Sequence, residues 1–171
     1  MARIIGHSSS VSLRGALDLA RGQKISTRLL HSPGCSPTGT APSTAGTVYR
    51  QATVRLEQTF ALDLDTGTLP PGLGTGADIW FQAVTEQVRY LSPMPSSGAA
   101  LAVYGAAAPG FSGCSTATLT GTNISIETLT AGLYVCARTS ENRFSEIRVV
   151  EPVGPSSPTA AITISYTTYN R

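Results

Sequence analysis

From residue 48 onward the chain alternates between apolar and polar side chains with a period of two. In residues 48–56 the apolar side chains Val48, Ala52, Val54 and Leu56 fall on one face, which is interrupted only by Arg50. A period of two is the pattern of a half-buried β-strand. The same pattern recurs in residues 60–64, 78–84, 88–91, 100–104, 133–138, 144–150 and 161–169. Eight short strands separated by Gly, Pro, Asn and Ser clusters predict an all-β body, an antiparallel β-sandwich or a barrel-like fold.

The turn between two of these strands also has a sequence signal. Ser140, Glu141 and Asn142 lie between the strands of residues 133–138 and 144–150. Asn tolerates a positive φ, so this tripeptide predicts a hairpin turn. The last segment, residues 161–169, is rich in β-branched and aromatic side chains and is expected to complete the sheet.

The first 47 residues have a different character. All eleven aromatic residues lie at or after Tyr49, so residues 1–47 lack the large side chains that dominate a core. Residues 31–47 are rich in Pro, Gly, Ser and Thr, which is typical of a linker. We therefore divide the chain into an extended N-terminal arm and linker, residues 1–47, and a β-sandwich body, residues 48–171.

Charge is also divided unevenly between the two parts. Residues 1–59 carry seven basic groups against two acidic ones, whereas five Arg oppose eight carboxylates from residue 60 onward. A basic arm on a mildly acidic body indicates docking on another surface. The side chains expected to make that contact are Arg3, Arg14, Arg21, Lys24 and Arg28. The arm has no aromatic side chains between its basic residues on which bases could stack, so no nucleic-acid partner is predicted.

No catalytic constellation is evident. The two histidines, His7 and His31, both lie in the arm with Ser8–Ser10 and Cys35, where nothing supplies a rigid pocket. The sequence therefore predicts a protein that is not an enzyme and has no cofactor or small-molecule substrate. No apolar run is long enough for a membrane span, and the N-terminus lacks the apolar core of a secretory signal. We expect synthesis and assembly in a cytoplasm, without a membrane partner.

One short acidic motif resembles part of a calcium loop. Asp63 and Asp65 have the spacing of the first two oxygen ligands, and a glycine, Gly67, follows them. The third acidic position and the bidentate Glu of the full loop are missing from this segment. An Asp that caps a turn is the more frequent explanation of such a motif, so no metal is predicted, and whether Asp63 and Asp65 bind an ion stays open.

Three cysteines leave one unpaired in any disulfide scheme. Cys35 lies in the linker, and Cys114 and Cys136 lie in the body without the CxxC or His partners of a metal site. Buried thiols are favoured over a disulfide in a chain that lacks an export signal, although a Cys114–Cys136 bond remains an alternative.

Aromatic residues on the strand of residues 78–84 indicate a surface role. Trp80 and Phe81 are neighbours and therefore point to opposite faces of the strand. An aromatic side chain outside the core often marks an interface. We take Trp80, Phe81 and Tyr90 as candidates for a subunit interface, with ordinary core packing as the alternative.

The body resembles a β module that recurs in bacterial and phage proteins. The resemblance covers residues 60–169, about two thirds of the chain, and rests on residues 60–67, 77–81, 101–105, 134–144 and 162–169. It implies a β fold and no known chemistry.

A β-rich body with a long arm also resembles the cement, or decoration, proteins of tailed-phage capsids. That resemblance implies a homotrimer on the virion surface that binds the major capsid protein and stabilises contacts between capsomers. The alternative is a receptor- or carbohydrate-binding module of a tail fibre or cell-surface protein, in which Trp80 or Tyr90 stacks on the ligand.

Overall fold

The structure is a computed structural model, and it describes residues 45–154 and 160–171. The predictions made for residues 1–44, including the five basic contact residues, both histidines and Cys35, lie outside the described residues. The prediction of an all-β body is confirmed for the rest.

The described chain contains nine strands, one short α-helix and one turn of 3₁₀-helix. In chain order they are β1 (Val48–Glu57), β2 (Ala61–Leu62), β3 (Ile79–Ala83), β4 (Arg89–Pro93), β5 (Ala100–Gly105), α1 (Gly110–Thr116), β6 (Ile124–Ser125), the 3₁₀ turn (Ile126–Thr128), β7 (Tyr134–Arg138), β8 (Phe144–Glu151) and β9 (Ala161–Tyr169). Each predicted strand corresponds to one of these elements. The strand predicted at residues 60–64 is shorter than expected, because only Ala61 and Leu62 form a ladder.

The strands form two antiparallel sheets. The larger sheet has five strands in the order β1-β9-β8-β7-β5, and the smaller has four in the order β2-β3-β4-β6. Both sheets contribute side chains to one buried cluster, for example Ile147 and Ile164 from the larger sheet and Phe81 and Leu91 from the smaller. The body is therefore a β-sandwich with its core between the sheets.

The period-two pattern determines which side chains enter this core. Along β9, Ile162, Ile164 and Tyr166 are buried and alternate with partly exposed residues. On β1, only Leu56 is fully buried, and Val48 at the other end is 57% exposed. The alternation expected for β1 is present, but its inward-facing side chains become more exposed toward Val48 at the start of the strand.

Helix α1 lies on the outer face of the larger sheet. The ring of Phe111 packs edge-on against Phe144 and Tyr169, with centroid distances of 6.0 and 6.1 Å. Cys114 of α1 is bonded to Cys136 of β7, and both are fully buried. The structure thus contains the disulfide, and the preference for two buried thiols is corrected. The physical reason is that α1, which has no apolar helical pattern in the sequence, brings Cys114 directly over β7.

Helix α1 is also connected to the sheet through one carboxylate. Glu146 accepts hydrogen bonds from the Gly110 N–H, at 2.9 Å, and from the Tyr169 hydroxyl, at 2.7 Å. Burial raises the pKa of Tyr169, and the hydrogen bond to Glu146 raises it further.

Among the described residues no helix has the length and apolar character needed to cross a bilayer.

Candidate functional site

The loop that follows β2 is organised by Asp63. Its Oδ1 accepts hydrogen bonds from the N–H groups of Asp65, at 2.8 Å, and Thr66, at 2.9 Å, and its Oδ2 accepts the Thr66 hydroxyl at 2.7 Å. Gly67 closes the turn, with its N–H 2.7 Å from the Asp63 carbonyl and a φ of +75°. A glycine is favoured there because this φ strains other residues. Asp63 therefore caps this turn, and Asp65 does not.

A second carboxylate, Asp78, reaches the same place from the residue before β3. It is fully buried, and its Oδ2 accepts the Leu64 N–H at 2.9 Å while its Oδ1 accepts the Ser140 N–H at 2.7 Å. One side chain therefore connects the loop after β2 to the turn between β7 and β8. Burial raises the pKa of Asp78, and the two backbone hydrogen bonds oppose that rise.

The turn between β7 and β8 supplies two more charged groups. Asn142 adopts a φ of +64°, as expected for a hairpin turn, and its N–H donates to the Thr139 carbonyl. Arg143 places Nη1 3.0 Å from Asp65 Oδ1, and its guanidinium also stacks 3.9 Å from the Tyr49 ring centroid. Glu141, in the same turn, lies beside Asp65 and affects its ionisation.

Asp65 is the least satisfied side chain of this group. It is only 5% exposed, and apart from the ion pair of Oδ1 with Arg143 neither carboxylate oxygen accepts a hydrogen bond of good geometry within the described residues. Burial is the main reason why the pKa of Asp65 is raised to about 7, and the adjacent Glu141 carboxyl contributes to the rise. The pKa of Glu141 is correspondingly lowered. Two neighbouring carboxyl groups favour one bound proton or one bound cation, because two adjacent negative charges repel each other.

Together these residues form a cluster at one end of the sandwich, which we call the carboxylate cluster: Asp63, Asp65 and Asp78. One carboxylate oxygen of each lies within 4.8 Å of the others. Arg50 approaches the same loop, because a Cβ added to Gly67 would collide with its guanidinium, and its Nε donates to the Tyr166 hydroxyl. The motif Asp63-x-Asp65 was visible in the sequence, but Asp78, Glu141 and Arg143 were not associated with it.

The aromatic interface candidates have three different environments. Phe81 is fully buried in the core. Phe81 lies on the face of β3 that points into the core, so it cannot contact a second subunit. Its prediction as an interface residue is therefore wrong. Trp80 faces outward and packs against a small cluster of Ala61, Ala77 and Met94. Tyr90 is half-buried on the neighbouring strand.

Trp80 and Tyr90 share the outer face of the smaller sheet with polar side chains. In the β3–β4 ladder Trp80 pairs with Ser92 and Gln82 with Tyr90, so all four point to one face. Gln82 Oε1 accepts hydrogen bonds from the Ser92 hydroxyl, at 2.9 Å, and from Asn123 Nδ2, at 3.2 Å.

Comparison with known proteins does not place the chain in a family. No family model matches the sequence, and neither a curated protein nor a solved structure is similar enough to count as a match.

Proposed function

We propose that this chain is a non-enzymatic structural protein of a virion, a cement protein that binds the outside of a phage capsid and stabilises contacts between capsomers. The observation that carries the proposal is the position of β1. It is the first strand of the body and also an edge strand of the larger sheet. The chain therefore enters the body at an edge of the larger sheet, where a neighbouring subunit can lie beside it.

The edge formed by β1 is long and partly apolar. All of its ladder pairs are with β9, from Val48 opposite Tyr169 to Glu57 opposite Ala161, so its other side has no strand beside it in the described chain. Val48 is 57% exposed and Tyr49 is 47% exposed at the end nearest the arm. An unpaired edge with exposed apolar side chains favours pairing with another chain. A break in ladder register between Val48 and Arg50 limits such pairing at this end.

The opposite edge, β5, is only half covered. Leu101 exchanges two backbone hydrogen bonds with Thr120, at 2.8 and 3.0 Å, which protects the first half of the strand. Val103 and Tyr104 in the second half are 49% and 45% exposed. The sandwich thus has two edges that suit contacts with protein subunits, as repeated small contacts on a capsid require.

Charge supports the same assignment. Residues 1–44 carry Arg3, Arg14, Arg21, Lys24 and Arg28 against a single acidic residue, Asp18. The described residues carry more carboxylates than Arg side chains. A shell with an acidic outer surface would attract the arm and leave the body facing solvent or a second copy of the chain.

The test is binding of the full-length protein to capsids of its source phage from which accessory proteins have been removed. We expect saturable co-sedimentation at a fixed number of copies per capsomer, and a trimer in solution. Replacing the five basic arm residues by Gln should reduce binding at least tenfold, whereas replacing Arg55, Arg138 and Arg148 of the body by Gln should not. Absence of binding by the wild type would contradict the proposal.

One observation favours a second candidate, a carbohydrate-binding module. Trp80 and Tyr90 lie on one sheet face with Gln82, Ser92 and Asn123 between or beside them. Aromatic faces next to amide and hydroxyl groups suit a sugar ring, which presents apolar C–H and polar O–H groups together. Glycan-array binding by the wild type that is lost in Trp80→Ala, without capsid binding, would favour this candidate over the first.

A further inference from the structure

We propose that the carboxylate cluster of Asp63, Asp65 and Asp78 is a binding site for one calcium ion, which connects the loop after β2 to the turn between β7 and β8. The proposal goes beyond the function proposed above and does not depend on it. The sequence motif alone contained two of the three carboxylates, and the fold adds Asp78 from a distant position.

The spacing of the carboxylates fits a single cation. Calcium binds oxygen ligands at about 2.4 Å, so two ligands on opposite sides of the ion are separated by at most about 4.8 Å. One oxygen of each Asp in the cluster lies within 4.8 Å of the others. Magnesium requires bonds of about 2.1 Å and near-octahedral geometry, and it usually keeps several waters and does not bind in an all-protein cage. The all-oxygen ligand set also favours calcium over zinc, which is usually held by Cys and His.

Asp65 supplies the observation that distinguishes this cluster from an ordinary group of acidic residues. Its side chain is only 5% exposed, and although Oδ1 is ion-paired with Arg143, neither carboxylate oxygen accepts a hydrogen bond of good geometry in the described chain. Its nearest cationic atom is Arg143 Nη1, 3.0 Å from Oδ1. A buried polar atom without a hydrogen bond is costly, so natural proteins usually provide a water or an ion at such a place.

Asp63 and Asp78 can bind an ion without losing their structural contacts. Each already accepts backbone N–H groups, Asp63 from its own turn and Asp78 from Leu64 and Ser140. A carboxylate has about four lone-pair positions, so these hydrogen bonds leave room for a cation. The backbone donors also fix the orientation of both side chains, which reduces the entropy lost when the ion binds.

The charge balance favours a cation as well. Glu141 lies beside Asp65, so four carboxyl groups converge at this end of the sandwich. Arg143 is ion-paired with Asp65, and the Arg50 guanidinium lies against Gly67 of the same loop. Two unit charges do not balance four carboxylates, and a divalent ion would complete the balance.

The experiment uses the full-length protein and terbium as a luminescent substitute for calcium. The chain has a single tryptophan, Trp80, which lies two residues after Asp78 in extended backbone, so the two Cα atoms are about 7 Å apart. We expect Trp80 excitation to sensitise terbium emission at a stoichiometry of one, and excess calcium to displace it. Calcium should also raise the Tm of the chelator-treated protein by several degrees, and magnesium should raise it less.

Asp65→Asn is the diagnostic variant, because it keeps the shape of the side chain and removes a ligand charge. It should lose at least tenfold in terbium affinity and most of the calcium-dependent Tm shift, and the matched Glu57→Gln on exposed β1 should lose neither. The proposal is overturned if the wild type shows no displaceable emission and no calcium-dependent Tm shift, or if Asp65→Asn responds as the wild type does. If the variant does not fold, the terbium displacement and the calcium-dependent Tm shift of the wild type still test whether the cluster binds calcium.

Discussion

The two sheets of the sandwich are held together in different ways. The larger sheet has strands of five to ten residues that pair along almost their whole length. The smaller sheet contains two strands of only two residues, β2 and β6. Where β2 ends, the chain relies on side chains: Asp63 closes the following loop, and Asp78 connects it to β3 and to the turn between β7 and β8.

This difference shows how a short strand can be kept in place. A long antiparallel ladder satisfies its backbone groups through many equivalent bonds, so no single side chain is decisive. In the smaller sheet a few buried carboxylates replace the missing ladder bonds. We therefore expect stability there to depend on single polar residues, and in the larger sheet on apolar packing and the disulfide.

The largest effect should come from Asp78. Replacing it by Ala removes the acceptor of two N–H groups, Leu64 and Ser140, at a cost of about 2 to 5 kcal/mol. This would equal the loss expected for the core substitution Ile164→Ala in the larger sheet, also about 2 to 5 kcal/mol. Urea unfolding measures both. Glu57→Ala, on an exposed position of β1, serves as the control. If Asp78→Ala lowers the free energy of unfolding by less than about 1 kcal/mol, the smaller sheet does not depend on its carboxylates.

A second effect concerns the larger sheet and its helix. Reduction of the Cys114–Cys136 bond should destabilise the fold by about 3 kcal/mol, since the bond closes a loop with a sequence separation of 22. Thermal unfolding with and without reductant, in a Cys35→Ala background that prevents exchange with the third thiol, measures this loss. A thiol count under denaturing, non-reducing conditions that finds both cysteines reactive would contradict the bond.

The smallest effect is the pH dependence of the carboxylate cluster in chelator. The pKa of Asp65 is about 7 in the folded protein and near 3.8 when unfolded, so the folded state binds the extra proton between these values. Stability should therefore fall as pH rises from about 4 to 7, and the lowered pKa of Glu141 should oppose part of this fall. Asp65→Asn should flatten the profile between pH 5 and 7. An equally steep fall in that variant would assign the effect to another group.

Much of the fold was predictable from local patterns. The alternation in residues 161–169 identified β9 along its full length, and Asn142 marked the hairpin turn. Helix α1 was missed because its sequence, rich in Gly and Ser, has no apolar face of helical period. Strand β6 was missed because two residues carry no periodicity.

The site was predictable only in part. Asp63 and Asp65 are close in sequence, and their spacing indicated a loop that presents carboxylates. Asp78 precedes a strand that the alternation assigned correctly, yet no local signal says that its side chain turns back to Leu64 and across to Ser140. Glu141 and Arg143 looked like ordinary turn residues.

The sequence by itself determined eight of the nine strands of the described residues, because a two-residue period and turn residues act over a few neighbouring positions. Only the tertiary structure decided which strands lie side by side, that Phe81 rather than Trp80 enters the core, and that Cys114 meets Cys136. It also brought Asp65, Asp78 and the turn between β7 and β8 together. Such contacts join residues far apart in the chain, and they form only when the two sheets bury their apolar faces against each other.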